Sequence, residues 1–301
     1  MLPLDVGREL YVMPLRATIA KELNSRGWSQ REIARAIGVT QVAVSKLLKG
    51  RQVIEKMRLL GIEELEIKLL LNSLLEQLEM GRVEKAAALA SRYWLLVTAS
   101  GSACRAHMSF GWKVTPCTAC MRSVYPRIAP AKAEALADIE RAIFLAESSR
   151  LLAKVMPEVL SNVARAIKGA STTSEVVAIP GRLAKVESRV KARSPAFGAS
   201  RHLAEVLLSS GYASCINIKY DKTVRKALEA LGLGFLEFSS EDFPGPNPAA
   251  AVLSKIKEEG SVPRVVVDRG GLGIEPVTYI FGATAVEVVL LAEKIAQAAF
   301  S

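Results

Sequence analysis

Three of the four cysteines and one of the two histidines in this chain fall within the seventeen residues CRAHMSFGWKVTPCTAC, 104–120. Cys104 and His107 are separated by two residues, as are Cys117 and Cys120, and nine residues lie between the pairs. Two such knuckles facing each other would supply Cys₃His, the closed tetrahedral set of a structural zinc site. Bound metal would ionise the thiols and order a loop too small to build its own core. Buried thiols or a disulfide are the alternatives, and zinc stands ahead of an iron–sulfur cluster.

A second group of residues suits an anion. In FGASRH (197–202), Gly198, Ala199 and Ser200 lie where a loop enters a helix. Their N–H groups, the Ser200 hydroxyl and the helix dipole make a candidate phosphate cradle, with His202 in the first turn. Arg182, after the turn at Pro180–Gly181, can offer its forked guanidinium to the same phosphate. Asn217, Lys219 and Asp221 in NIKYD, and Asp268 and Arg269 in DRGG, place further polar groups at strand ends, where open α/β sheets bind ligands. By spacing alone each of these signals is weak, since a Gly-Ala-Ser is usually just a cap.

A third group suits DNA. Gln41 and Ser45 lie one turn apart near the start of a short helix. Gln bonds bidentately to adenine and Ser serves several bases. Lys46, Lys49 and Arg51 suit phosphate contacts, which position without reading sequence.

The elements that must carry these residues follow. In WSQREIARAIGVTQVAVSKLLKG (28–50), Ser29 and Glu32 have capping-box spacing, Gly38 suits an abrupt helix stop, and Thr40 can cap the next helix. Small Ala34 permits a close crossing, and Ile33, Ile37, Val39, Val44 and Leu47 fill the wedge. This is a helix-turn-helix whose second helix enters the major groove; a helical hairpin with a solvated basic face is the plainer reading. Leu15 to Arg26 reads as a bracing helix, residues before Pro14 as extended, and Ile54 to Leu60 as a short helix. Glu63–Met80 and Val83–Thr98 read as long helices parted by Gly81. The first carries leucines at 65, 69, 70, 71, 74, 75 and 78, a stripe wide enough to pair across a two-fold axis, or to fold back within one subunit.

Residues 125–130 read as a linker. A helix is expected over about 132–154, and another from Pro157 to near Gly169. From Val176 onward, β-branched runs alternate with helices, one of them expected over 249–259. The fold class is multidomain, α plus α/β. Residues 1–61 form the helix-turn-helix domain, 62–130 a helical dimerisation region with the Cys/His cluster, and 131–301 an α/β ligand-binding domain.

The chain has 301 residues, half of them apolar, and a formal net charge of +10 with a pI near 9.5. That composition excludes general disorder and a disulfide framework. The first sixty residues carry about half the positive excess, which fits a polyanionic partner, while the rest fits phosphorylated small molecules equally well. No stretch reads as a signal peptide or membrane span, so a cytoplasmic protein without a membrane partner is expected.

The series EVLSN (158–162), IPGR (179–182), FGASRH (197–202), NIKYD (217–221) and DRGGLGIEP (268–276) resembles the ThiN-type thiamine-phosphate synthase domain of archaea. The resemblance implies a domain that joins hydroxymethylpyrimidine diphosphate to a thiazole phosphate, releasing pyrophosphate. It associates activity with the positions held here by Arg182 and His202. The family's arginine before Ser-Asn is Leu160 here, and EDFPGPNPAA (241–250) departs from the family's loop. With its N-terminal module, the whole chain is similar to the ThiR-type thiamine-responsive repressors. That resemblance implies a homodimer, operator DNA as partner, and thiamine phosphate or thiamine diphosphate as effector. An active synthase fused to a DNA-binding module, and a nucleic-acid-associated enzyme with another phosphorylated substrate, are the competing readings.

Overall fold

Residues 3–25 are helical throughout, which overturns the extended lead-in expected before Pro14: α1 (Pro3–Gly7), a wide π-turned stretch (Arg8–Val12) and α2 (Met13–Ser25) run on without a break. Proline has no N–H to give the preceding turn, and the Met13 N–H reaching back to the Arg8 carbonyl widens the helix just where Pro14 would break it. The computed structural model describes residues 2–50, 53–242, 252, 254–255 and 262–300. The chain divides into two compact units, residues 1–133 and 134–301. No helix among the described residues is long and apolar enough to cross a membrane.

The first unit is helical. After α2 come α3 (Gln30–Ile37), α4 (Gln41–Lys49), α5 (Val53–Arg58), α6 (Glu64–Glu79), α7 (Val83–Ala99), α8 (Cys104–Ser109) and α9 (Ala119–Val124). The N-terminal helix is pinned to α7 by aromatic contacts. Tyr11 stacks on Trp94 at 5.3 Å and on Tyr93 at 6.3 Å, and its hydroxyl donates to the Ala90 carbonyl at 2.7 Å. Gly7 lies against the Trp94 ring, where a Cβ would stand 2.5 Å from a ring carbon. Leu69, Leu70, Leu71, Leu74, Leu75 and Leu78 are all buried within this single chain. The leucine stripe of α6 is therefore consumed internally and does not by itself call for a second copy.

The second unit is a mixed sheet with helices. Helix α10 (Pro130–Ser148) leads into it and stops six residues before the expected end. There the Ser149 hydroxyl accepts from the N–H groups of Leu151 and Leu152 at 3.0 and 2.8 Å, a local bond that competes with helix. The strands are β1 (Val163–Ala166), β2 (Val176–Ala178), β3 (Ala184–Val186), β4 (Arg189–Lys191), β5 (Ala196–Phe197), β6 (Ser214–Lys219), β7 (Leu236–Phe238), β8 (Val265–Asp268) and β9 (Val277–Gly282). Among the described residues, seven form one sheet in the order β5-β2-β1-β6-β9-β8-β7, and β3 pairs with β4 apart from it. All neighbours in the sheet are antiparallel except β7 and β8. The unit also carries helices α11 (Arg201–Ser210), α12 (Lys222–Ala230) and α13 (Ala285–Phe300).

The helix expected from Pro157 to Gly169 is absent. The segment is a loop followed by β1, a strand between β2 and β6. Ala and Arg favour helix locally, but a central place in the sheet overrides that preference. The helix expected over 249–259 falls almost entirely outside the described residues. Strands β1, β6, β8 and β9 are buried along almost their whole length, polar positions included, because both faces of the sheet are covered. Ala164, Cys215, Val266, Tyr279 and Phe281 pack with α11 residues Leu203, Val206 and Leu207 in one core. Helix α13 packs on the sheet through β1, β6 and β9. Its N-terminus is closed by Asp138 of α10, which accepts from Ala285 N–H at 2.7 Å and ion-pairs with Arg165 at 3.0 Å.

Candidate functional site

Four of the five motif segments of the second unit meet through hydrogen bonds at one end of the sheet. The chain leaves β2, turns at Pro180–Gly181 and places Arg182 at φ 68°, in the left-handed region. Leu160, on the loop ahead of β1, is also left-handed at φ 67°. Two asparagines hold these strained positions. Asn217 on β6 accepts from Asn162 N–H at 2.8 Å and donates to the Leu160 carbonyl at 3.1 Å. Asn162 accepts from Ile179 N–H at 3.1 Å and donates to the Ile179 carbonyl at 3.0 Å. The Glu275 carboxylate adds a third tie, accepting from the N–H groups of Glu158 and Val159 at 2.8 and 2.9 Å. The Arg182 guanidinium, exposed, donates to the Val159 carbonyl. Backbone held in a sparsely populated region by its surroundings is a mark of functional sites.

His202, in the first turn of α11, brings the fifth segment in. Its Nε2 is 3.0 Å from the Tyr279 hydroxyl on β9, so one imidazole nitrogen is fixed. Burial holds the imidazole below its ordinary value, and the nearby Arg182 charge adds to this, against the opposing pull of Glu205 and Asp268. The ring is thus kept neutral as a hydrogen-bonding group. Burial pushes the Tyr279 hydroxyl well up, reinforced by Asp268, so it stays protonated.

Other candidates are engaged nearby. Gly198 takes the left-handed φ of 72° that the turn needs, and its N–H donates to the Val176 carbonyl at 2.9 Å. That leaves Ala199 and Ser200 as the cradle's remaining backbone donors; the Ser200 side chain makes no capping bond to α11. Asp268 is 2 % exposed and braces the turn after β8, accepting from Ser240 N–H at 3.0 Å, Gly270 N–H at 2.8 Å and the Ser240 hydroxyl. Lys219 and Asp221 pair with each other at 2.8 Å, and Asp221 caps α12 by accepting from Thr223 and Val224 N–H. Burial alone would raise the Asp221 carboxyl, but Lys219 and the two N–H groups outweigh it and the net shift is downward. Arg269 faces Glu237 at 3.5 Å. Asn162, Tyr279 and Glu275 are new here. Asn162 and Glu275 stood inside motifs already noted, whereas Tyr279 was hidden in the apolar run VTYIFG.

In the first unit the capping expected for the helix-turn-helix is present. Ser29 N–H donates to Glu32 at 2.8 Å and Glu32 N–H returns to the Ser29 hydroxyl at 3.3 Å. Gly38 has φ 65°, and the Thr40 hydroxyl accepts from Ala43 N–H at 3.2 Å, so Thr40 serves as the cap of α4. Ile33 and Val44 are fully buried in the wedge. Gln41, Lys46 and Lys49 are exposed and Ser45 is half-buried, while Arg51 lies outside the described residues. Lys21 donates to the Gly50 carbonyl at 2.6 Å, closing the C-terminal end of α4. Beside α4 runs a cavity of about 420 Å³ whose lining includes Arg16, Lys46 and Lys56. Arg16 and Lys56 thus join the basic surface around the helix; Arg16 lies 25 residues before α4, and spacing gave no sign of it.

Cys104, His107, Cys117 and Cys120 line one further cavity of about 200 Å³. None of these cysteines is in a disulfide. Burial raises the Cys120 thiol, and the neighbouring Cys104 and Cys117 raise it further.

Comparison with known proteins follows the same division. The family described as thiamine-phosphate synthase ThiN matches residues 138–294, and a helix-turn-helix family matches residues 19–65. Thiamine-phosphate synthase ThiN of Methanothermobacter thermautotrophicus is 32% identical over 171 residues, covering 52% of this chain and 90% of that protein. Bifunctional thiamine biosynthesis protein ThiDN of Methanocaldococcus jannaschii is 32% identical over 174 residues, covering 54% of this chain but only 41% of that protein. The crystal structure of the C-terminal domain of protein MJ0236 superposes with a TM-score of 0.51 at 29% identity, over 56% of this chain and 96% of that one. The family match spans more than half of the chain and takes in all five segments, with Arg182 and His202 among them: the chain belongs to the thiamine-phosphate synthase ThiN family, joined to a helix-turn-helix DNA-binding domain.

Proposed function

We propose that this chain is a transcriptional repressor of thiamine genes that senses a thiamine phosphate through its ThiN domain. The reading rests on the union, in one chain, of a helix-turn-helix domain whose second helix exposes Gln41, Lys46 and Lys49 with a ThiN domain in which Arg182 and His202 lie near each other, and on Leu160 at the position where the resemblance implies an arginine. An apolar side chain there removes a guanidinium from the site, which weakens catalysis more than binding.

In this reading the effector's phosphate lies between Arg182 and the N-terminus of α11, where a guanidinium and helix N–H groups match phosphate oxygens. Neutral His202, held by Tyr279, donates to the same group. Thiamine phosphate or thiamine diphosphate is the effector, and unphosphorylated thiamine lacks the anchor. The protein acts as a homodimer because a palindromic operator presents two half-sites. Gln41 and Ser45 read bases, and Lys46 and Lys49 hold phosphates, with Arg16 and Lys56 beside them. The ligand shifts operator affinity only by its differential affinity for the two states, and a tenfold gain requires about 1.4 kcal/mol of coupling.

The test is operator affinity measured with thiamine phosphate, thiamine diphosphate, thiamine and no ligand. Phosphorylated forms should act and thiamine should not; if all act alike, or none acts, the phosphate-anchored sensor is wrong. The retained Arg182 and His202 favour a second reading, a working synthase. Turnover of hydroxymethylpyrimidine diphosphate with thiazole phosphate well above buffer would select it.

A further inference from the structure

We propose that Cys104, His107, Cys117 and Cys120 bind one zinc ion that fastens the segment between α8 and α9 to the helical unit. The four donors come from two short elements separated by a loop, yet all four line the same cavity of about 200 Å³. On α8, Cys104 and His107 are three residues apart and therefore share a face. Cys117 lies just ahead of α9 and Cys120 in its first turn, with the same spacing. The two pairs thus form knuckles that open onto one space. Three thiols and one imidazole, with no carboxylate or water-bearing position needed, are the ligand set of a closed structural zinc site.

The surroundings point the same way. Helices α8 and α9 have six residues each, far below the length at which a helix stands alone in water. The loop between them exposes Phe110 and Val114, so it has little apolar burial of its own. The order of this segment needs another source, and metal coordination provides one. His107 is 7 % exposed and its ring stacks on Trp112 at 4.8 Å, which fixes the plane of the imidazole. A ligand whose orientation is set by its neighbours is the arrangement metal sites favour.

Among the described residues no group of three His, Cys, Asp or Glu side chains stands arranged around a metal position. The thiols therefore have to turn inward and lose their protons as zinc enters, drawing the two knuckles together. A four-iron cluster calls for four thiolates, which the imidazole at His107 does not supply. Because α8 packs on α1 and α9 on α7, the ion would fasten the very helices that brace the DNA-reading unit.

The experiment uses the full chain purified under reducing conditions without chelator. Elemental analysis should give about one zinc per chain. Replacement by cobalt(II) should produce the strong visible absorption and the thiolate charge-transfer band of a tetrahedral sulfur-rich site. Cys117→Ser should abolish stoichiometric metal, and His107→Ala should alter the cobalt spectrum. If Cys117→Ser does not fold, the cobalt spectrum of the unsubstituted chain decides alone. Absence of stoichiometric metal after zinc is supplied, iron accompanied by acid-labile sulfide, or a cobalt spectrum without the thiolate band would each overturn the proposal.

Discussion

Replacing Arg182 by glycine should loosen the ligand and leave the fold intact, an outcome opposite to that of ordinary damage. Arg182 sits at φ 68°, a region that costs a non-glycine residue about 1–2 kcal/mol. Glycine relieves that cost but gives back about 0.5–1 kcal/mol in backbone entropy. The lost bond from the guanidinium to the Val159 carbonyl is exposed and worth little. The net change in stability is thus within about 1 kcal/mol, or about 2–4 °C in a protein of this size. Binding behaves differently. A hydrogen bond to a charged group is worth about 1.5–3 kcal/mol, so a phosphorylated ligand should bind about 10- to 150-fold more weakly. Unphosphorylated thiamine should be unaffected. Arg182→Ala should show the same loss of affinity but melt lower than Arg182→Gly, because it keeps the strain. Calorimetric titration with both ligands and a thermal melt of each variant are sufficient. An equal loss for thiamine and its phosphate, or a collapse of the melt in Arg182→Gly, would refute the assignment.

Gln41→Ala should cost about 1–3 kcal/mol at one operator base pair and nothing on random DNA, whereas Lys49→Ala should weaken all sequences and flatten the salt dependence. Equal losses for Gln41→Ala on both DNAs would remove its base-reading role. Asn217→Ala strips partners from the Leu160 carbonyl and the Asn162 N–H, at about 1–3 kcal/mol each, and a melt unchanged from the parent would mean the clamp is idle. His202 is depressed by burial, so the unfolded chain takes up its proton first. Its contribution to stability is intact above the ordinary value of 6.5 and declines as the pH falls through the folded value. With only two histidines in the chain, proton NMR can follow His202 directly; a titration at or above 6.5 in the ligand-free protein contradicts the burial argument.

What could be read in advance was local. The helix-turn-helix was legible because Ser29, Glu32, Gly38 and Thr40 act within a few residues of themselves, and each bond forms as the spacing dictates. The alternation of strands and helices after Val176 was legible for the same reason. Where the reading failed, a distant partner decided. Tyr11 is helical because Trp94 and Ala90 receive it, not because of its neighbours. The stretch VARA is a strand because β2 and β6 lie on either side. In the candidate site, Arg182 and His202 were singled out by motif, but the means of holding them was not legible. Asn162, Asn217 and Glu275 act across 17 to 117 residues of chain, a range at which spacing carries no information. Asp268, named among the ligand contacts, also braces the turn after β8, a role that its spacing did not announce.

The large sheet ends on β5, two residues long, and on β7, three residues long. A strand at a sheet's margin offers its open N–H and C=O groups to any extended chain that passes, and the number of rungs sets how firmly the visitor is held. Two or three rungs give a stray segment little purchase. A chain half apolar in composition, whose longest strands would make strong templates for fibrous stacking, keeps those strands, β6 and β9, paired on both margins and out of reach. Among the described residues, edges this short also make a weak template for running the sheets of two copies together into one. Contacts made through these edges would then rest on side chains, where charge and shape can discriminate, and not on backbone, which binds any strand alike.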